Sequence, residues 1–193
     1  MSQEDQIRWN RQHSESTGVD EPARFLRRVL ESDSWEIMPG RALDIACGKG
    51  RNALYLAGRG FHVTAVDISP VALDLGRKRA EENSLCLDWR QADLENFQLK
   101  PAEFDLIINI NYLQHSLIAQ IQTALRSGGH VIFETYLIDQ QAIGHPKNPA
   151  YLLAHNELLG HFRDFRVLCY REGKFDDAGG WSFRAGILAQ KIS

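Results

Sequence analysis

Ala42-Leu-Asp-Ile-Ala-Cys-Gly-Lys-Gly-Arg-Asn-Ala53, followed by Val63-Thr-Ala-Val-Asp-Ile-Ser-Pro70, is the stretch on which the reading of this chain turns. Arg41 to Ala46 reads as a strand. Gly48-Lys49-Gly50 is a tight turn, and Asn52 to Arg59 reads as a helix closed by Gly60. His62 to Val66 is a second strand, ending at Asp67. Gly48 to Ala53 thus spells G-x-G-x-x-A between a strand and a helix. The motif gains its meaning from that context. Asp67 follows Gly48 by 67 − 48 = 19 residues, where a carboxylate can accept both hydroxyls of a ribose. Glycines let the backbone approach a ligand with no Cβ in the way.

Working outward, apolar β-rich runs alternate with helical stretches, which is the α/β signature. Upstream, a helix is expected from near Asp20-Glu21-Pro22, with Phe25, Leu26, Val29 and Leu30 on one face. Arg24, Arg27 and Arg28 fall on its solvated face. Downstream, Ser69 is an N-cap and Pro70 the first position of a helix running to about Asn83. Leu85 to Arg90 is a third strand, and Phe104 to Ile110 a fourth whose unbroken apolar character suits burial on both faces. A helix over Gln114–Leu125 ends at Ser127-Gly128-Gly129, and His130 to Tyr136 is a fifth strand. An irregular stretch with Gly144, Pro146 and Pro149 follows, then a short helix from Asn156 to Phe162. Phe165–Arg171 and Trp181–Gln190 have no helix between them and should pair as an antiparallel hairpin. The sheet is expected to be parallel for five strands and mixed at its end.

The chain has 193 residues, 44% hydrophobic and 24% charged, so disordered and fibrous classes are excluded. One domain with a radius of gyration of about 16 Å is the expectation. Net charge is −3, which argues against a general nucleic-acid binder. No apolar run approaches the roughly 20 residues of a membrane helix. Met1 to Arg11 is polar and carries no apolar leader core. Cys47, Cys86 and Cys169 form neither a disulfide framework nor a CxxC motif, so a reducing cytoplasm is expected.

The glycine turn fits two adenosine ligands. A dinucleotide brings a pyrophosphate to the helix N-terminus. S-adenosylmethionine brings an ammonium and a sulfonium instead. Asp44, four residues before Gly48, suits the ammonium and would repel the pyrophosphate.

At this point Ala42 to Ala57 and Val63 to Pro70 resemble the class I S-adenosylmethionine-dependent methyltransferases, and most of all the small bacterial tellurite-resistance type. The resemblance runs from Trp9 to the last strand. It implies a Rossmann-like three-layer sandwich around a seven-stranded mixed sheet, order 3-2-1-4-5-7-6, with the last strand antiparallel. It implies a single domain over 1–193: a lid segment at 1–20, a cofactor-binding core at 41–136, and an acceptor loop with the C-terminal hairpin at 137–193. By motif, Asp44, Ala46, Gly48 and Gly50 would line the methionine end of S-adenosyl-L-methionine, whose product is S-adenosyl-L-homocysteine. Asp67 and Ile68 would hold the ribose side, Asp93 and Leu94 the adenine, and Asn109 would offer its backbone to the cofactor amino group. Ala46 stands where the family's first motif glycine is usual.

The methyl acceptor is expected outside the carboxyl ends of strands four and five. Tyr112 and His115 follow strand four, and Glu134 and Tyr136 close strand five. Trp9, Arg11 and His13 could cover the same mouth, with the loop Gln140–Leu153. Candidate proton acceptors are His115, His13, His145 and Glu134; Tyr112 and Tyr136 read as pocket walls. A thiol or chalcogen nucleophile needs no strong base. Asn109-Ile-Asn-Tyr112 lacks the prolines of the amino-methylating enzymes. His155 and His161 stand six apart rather than four, so no metal site is expected. The expected partner is a small molecule rather than a nucleic acid or a membrane, in a monomer or homodimer. A nicotinamide-dependent oxidoreductase and a cofactor-binding regulator without turnover remain as alternatives.

Overall fold

The computed structural model describes residues 3–15, 21–176 and 180–192. Five strands, joined by helices except between the third and fourth, precede a closing hairpin. The strands are β1 (Arg41–Ile45), β2 (His62–Asp67), β3 (Asp88–Gln91), β4 (Phe104–Ile110), β5 (Leu125–Tyr136), β6 (Arg166–Asp176) and β7 (Trp181–Gln190). They form one sheet in the order β3-β2-β1-β4-β5-β7-β6. The first five are parallel; β7 runs antiparallel to both β5 and β6. The mixed sheet implied by the resemblance is the one observed.

Side-chain alternation along the strands builds two cores. Leu43, Ile45, Ile107, Val131, Phe133 and Ile187 face one layer, joined by Leu117, Ile118 and Ile121 of α5 (His115–Ala124) and Leu158 of α6 (Glu157–His161). Ala42, Leu106, Ile108, Ile132 and Leu188 face the other. There they meet Phe25, Leu26 and Val29 of α2 (Arg24–Leu30), Leu56 of α3 (Arg51–Ala57) and Leu73 of α4 (Pro70–Glu82). Two apolar faces covered by helices make three layers. Six of the seven residues of β4 are buried, as its continuous apolar run requires.

Local signals explain most boundaries. Ser69 Oγ accepts the Ala72 N–H at 3.1 Å and Pro70 occupies the first turn, so α4 starts where the sequence places it. Other boundaries move. Asp20 lies outside the described residues, and α2 starts at Arg24 behind Ala23 with no side-chain cap. Instead Asn52 Oδ1 takes the Ala23 N–H at 2.9 Å, from 29 residues away. Asn156, the expected cap of α6, is left-handed and makes no capping bond; Glu157 accepts the Ala154 N–H at 2.7 Å. β5 begins at Leu125 rather than His130, because Leu125 already pairs with Phe104 before a register shift. The third strand is shorter than expected. A further helix, α1 (Gln3–Glu15), lies where the sequence marked only a covering segment. No described helix is long and apolar enough to cross a membrane.

Candidate active-site cleft

A cleft of about 1200 Å³ opens at the carboxyl ends of β1, β2, β4 and β5. Its floor is the turn after β1. Ala46, Gly48 and Gly50 all hold positive φ, at 52°, 56° and 76°. This left-handed sequence folds the backbone back sharply and turns it toward the cleft. At Gly50 the need for glycine is steric as well: a Cβ there would stand 2.3 Å from the Trp89 ring. Trp89, on β3, fills the space between Gly50 and Gly76. Ala46 adopts the same backbone region with a Cβ, which costs about 1 kcal/mol. Replacing the usual glycine is therefore strained rather than neutral.

Asp44 lies beneath this turn, 1% exposed. Its Oδ2 is the buried side-chain oxygen without a hydrogen-bond partner among the described residues. Burial, then the charge of Asp67, push its carboxyl up to about 8, against the Ala53 N–H and Arg51, which favour the anion. Burial likewise drives the Cys47 thiol upward, so it is no thiolate nucleophile. Asp67 closes β2 with Oδ2 accepting Gly48 N–H at 2.7 Å and Oδ1 accepting Ser69 N–H at 2.9 Å. Those bonds fix the carboxylate's orientation and leave each oxygen a second lone pair for a ligand. An unsatisfied buried carboxyl oxygen fits an ammonium donor, and an oriented carboxylate beside the turn fits a diol. The residues present therefore suit S-adenosylmethionine.

Of the sequence-derived cofactor residues, Ala46, Gly48, Asp67, Ile68 and Leu94 line the cleft. Gly50 and Asp44 support its floor from beneath. Asp93 is not among the lining residues; its carboxylate accepts from Glu95 N and Asn96 Nδ2, both at 3.0 Å. Asn109, one residue before the end of β4, is buried, and its amide donates to the Tyr112 carbonyl at 2.6 Å, which shapes the turn after the strand.

The other end of the cleft is built by that turn. Tyr112, His115 and Tyr136 line the cleft together with His145 and Tyr151. Tyr112 donates its hydroxyl to Gln114 at 2.6 Å, and burial raises its pKa further, so it stays a neutral phenol. Glu134 does not face the acceptor. It is 3% exposed and paired with Arg171, which donates Nε at 3.0 Å. Gly186 of β7 lies between them in register, opposite Glu134 on one side and Arg171 on the other. With no side chain at that position, the ion pair bridges over the central strand; a Cβ would meet Phe25 at 3.1 Å and Glu134 at 3.2 Å.

α1 roofs the end of the cleft at the glycine turn. Gln6 donates to the Ile68 carbonyl at 3.2 Å, and Ser69 Oγ donates to Asn10 at 2.6 Å. Trp9 and His13 stack at 5.8 Å, and His13 lies against Gly48, 3.2 Å from where its Cβ would be. Both line the cleft, whereas Arg11 points out to Glu15. Burial lowers the His13 pKa, with Lys49 adding and Asp67 opposing. His13 is therefore neutral at pH 7.

Three features escaped the sequence. Trp9 and His13 stand at i, i+4, a spacing that could have revealed α1. Arg184 lies 4.1 Å over the Tyr136 ring and donates to Asn111 at 2.5 Å, which no local pattern signals. His115, Glu157 and His161 come together from 42 residues apart. His155 stays outside that group, 2.6 Å from Asp139.

Comparison with known proteins agrees with this geometry. Residues 42–129 match the family described as a methyltransferase domain. The ubiquinone biosynthesis O-methyltransferase of Aromatoleum aromaticum is 36% identical over 101 residues, 49% of this chain and 43% of that protein. The one from Acinetobacter baylyi is 27% identical over 135 residues, 66% of this chain and 57% of that protein. The chain thus spans about half the length of the curated relatives it matches. TehB from Haemophilus influenzae superposes with a TM-score of 0.69 at 22% identity, covering 86% of this chain and 65% of that one. A S-adenosylmethionine-dependent methyltransferase from Methanosarcina mazei gives 0.66 at 18% identity, covering 83% and 95%. These two structures share the fold.

Proposed function

We propose that this chain is a class I S-adenosylmethionine-dependent methyltransferase that transfers the cofactor's methyl group to a small molecule held between the end of β4 and the end of β5. The observation that carries the reading is a single cleft with two unlike ends. Asp44 and Asp67 offer carboxylates at one, and Tyr112, His115 and Tyr136 form a mostly aromatic wall at the other. Its volume exceeds the 300–1,000 Å³ usual for one ligand, which leaves room for an acceptor beside the cofactor.

The bound cofactor supplies an activated methyl on a sulfonium with a neutral leaving group. The chain's task is placement. Asp44 neutralises the ammonium, Asp67 holds the ribose, and Ile68 and Leu94 flank the adenosine with apolar surface. Holding the acceptor in line with the methyl supplies much of the rate. Glu134 acts at a distance, through Arg171, by keeping the end of β5 rigid.

The acceptor's chemistry divides on the need for a base. The curated relatives' names describe O-methylation, which favours a hydroxyl acceptor here. Its proton would go to His13, the neutral imidazole that α1 places over the glycine turn. A thiol or chalcogen acceptor would need no such group.

Labelled methyl transfer measured against phenolic, thiol, selenite, tellurite, amine and carboxylate acceptors tests the proposal. Turnover on at least one class is expected, together with S-adenosylhomocysteine binding seen through tryptophan fluorescence. Tight NAD binding with no response to S-adenosylhomocysteine would overturn it in favour of an oxidoreductase. Tight cofactor binding without turnover on any acceptor would instead mark a regulator.

A further inference from the structure

At the rim of the cleft, His115 meets two side chains of α6 that do not line it. His115 opens α5, and Glu157 and His161 stand one turn apart on α6. His115 Nε2 lies 2.7 Å from Glu157 Oε1, and His161 Nε2 lies 3.2 Å from the same oxygen. One nitrogen or oxygen from each of the three falls within 4.8 Å of the others. We propose that His115, Glu157 and His161 form a binding site for a divalent transition-metal ion of the zinc class. This inference does not rest on the methyl-transfer reading.

The donor set decides the class of ion. Two imidazoles and one carboxylate suit zinc, cobalt and their neighbours, whereas magnesium and calcium prefer oxygen alone. The spacing suits it too. Metal–ligand bonds of about 2.0–2.2 Å in tetrahedral geometry put ligand atoms roughly 3.3 Å apart. The existing 2.7 and 3.2 Å separations need only small side-chain adjustments. Both Nε2 atoms lie against one oxygen; with an ion bound there each neutral ring would coordinate through Nε2 and carry its single proton on Nδ1, a proton on Nε2 moving there or leaving to solvent.

The surroundings hold the ligands in place. Glu157 Oε2 accepts the Ala154 N–H at 2.7 Å, which leaves Oε1 turned to the imidazoles. Gln122 of α5 donates to the His161 carbonyl and ties the two helices together. The ion pairs of Glu157 among the described residues are with those two histidines alone, so no lysine or arginine blocks the site. The three side chains are 49%, 24% and 30% exposed, open enough for an ion to enter and keep a water. Because His115 also lines the cleft, a bound ion would clip α6 to the rim of the acceptor pocket.

The test uses the full chain, tag-free and chelator-treated, with Cys86→Ser to remove an exposed competing thiol. Calorimetric titration with Zn²⁺ should give one ion per chain. Co²⁺ should produce ligand-field bands without a thiolate charge-transfer band. Glu157→Gln and His161→Ala should each weaken Zn²⁺ binding on the order of 100-fold. His155→Ala should leave it unchanged. Circular dichroism and S-adenosylhomocysteine binding check that the variants fold. In the unmutated protein, Zn²⁺ should protect His115 and His161 from carbethoxylation, a readout that needs no variant. Absence of saturable binding, unchanged affinity in the Glu157→Gln/His161→Ala double variant, a thiolate band with Co²⁺, or no protection would each overturn the proposal.

Discussion

At the scale of the residue, Asp44 shows how a site can be set against the stability of the fold that carries it. A buried carboxyl with one oxygen unpartnered disfavours its own charged form. Asp44→Asn should therefore raise the unliganded protein's stability by about 1 kcal/mol in urea unfolding, while S-adenosylhomocysteine affinity falls at least tenfold by calorimetry. A loss of both would show that Asp44 is structural. His13 yields a second expectation. If it accepts a hydroxyl proton, His13→Gln should cut O-methylation by roughly 100-fold and spare a thiol acceptor. Equal loss on both acceptors would make His13 only part of the roof. The positions of Asp44 and Asp67 beside the glycine turn were legible in the sequence because they follow from distance along the chain to that turn. Glu134 was not: its partner Arg171 lies 37 residues away, and the space they share exists because Gly186 lacks a side chain.

Among the elements, the C-terminal hairpin and α1 contrast in how they are held. The β5–β7–β6 edge is locked by a buried ion pair over Gly186, with Arg171 also stacked 4.9 Å from Phe25 and 4.3 Å from Phe175. Glu134→Gln should destabilise the fold by about 3–5 kcal/mol, because a neutral amide no longer balances the buried Arg171 guanidinium. Cofactor affinity in the variant that remains folded should change little, measured under conditions where it is native. A large loss of affinity would place Glu134 in the cleft. Among the described residues, α1 is held to the body by the Gln6–Ile68 and Ser69–Asn10 hydrogen bonds and by His13 lying against Gly48, with little buried apolar surface. Amides of residues 6–15 should therefore exchange with deuterium faster than those of β4, and S-adenosylhomocysteine should slow them. Strand and helix identities in the central sheet were readable from alternating and continuous apolar runs. α1 was not, since its polar sequence lacks the apolar stripe that marks a helix packed on a core.

For the whole molecule, the pH dependence of stability follows from Asp44. Its folded pKa, about 8, lies above the unfolded value of 3.8. The folded state thus binds that proton more tightly, and the contribution of Asp44 to stability declines as pH rises from about 4 to 8. A cationic ligand beside it favours the carboxylate and cancels the penalty. The rise in Tm produced by saturating S-adenosylhomocysteine should therefore grow between pH 6 and pH 8. A rise independent of pH would show that the ligand does not meet Asp44.

The sequence by itself determined the sheet and the glycine turn that floors the cleft. Strand periodicity, the glycine turn and the two aspartates are local facts, and local facts fix which strand ends meet at the turn. Only the tertiary structure decided which polar groups are free to act. It took Glu134 out of the cleft, brought α1 over it, and gathered His115, Glu157 and His161 from separate elements. The reason is physical: a side chain's chemistry depends on what surrounds it, and those neighbours come from strands and helices far apart in the chain.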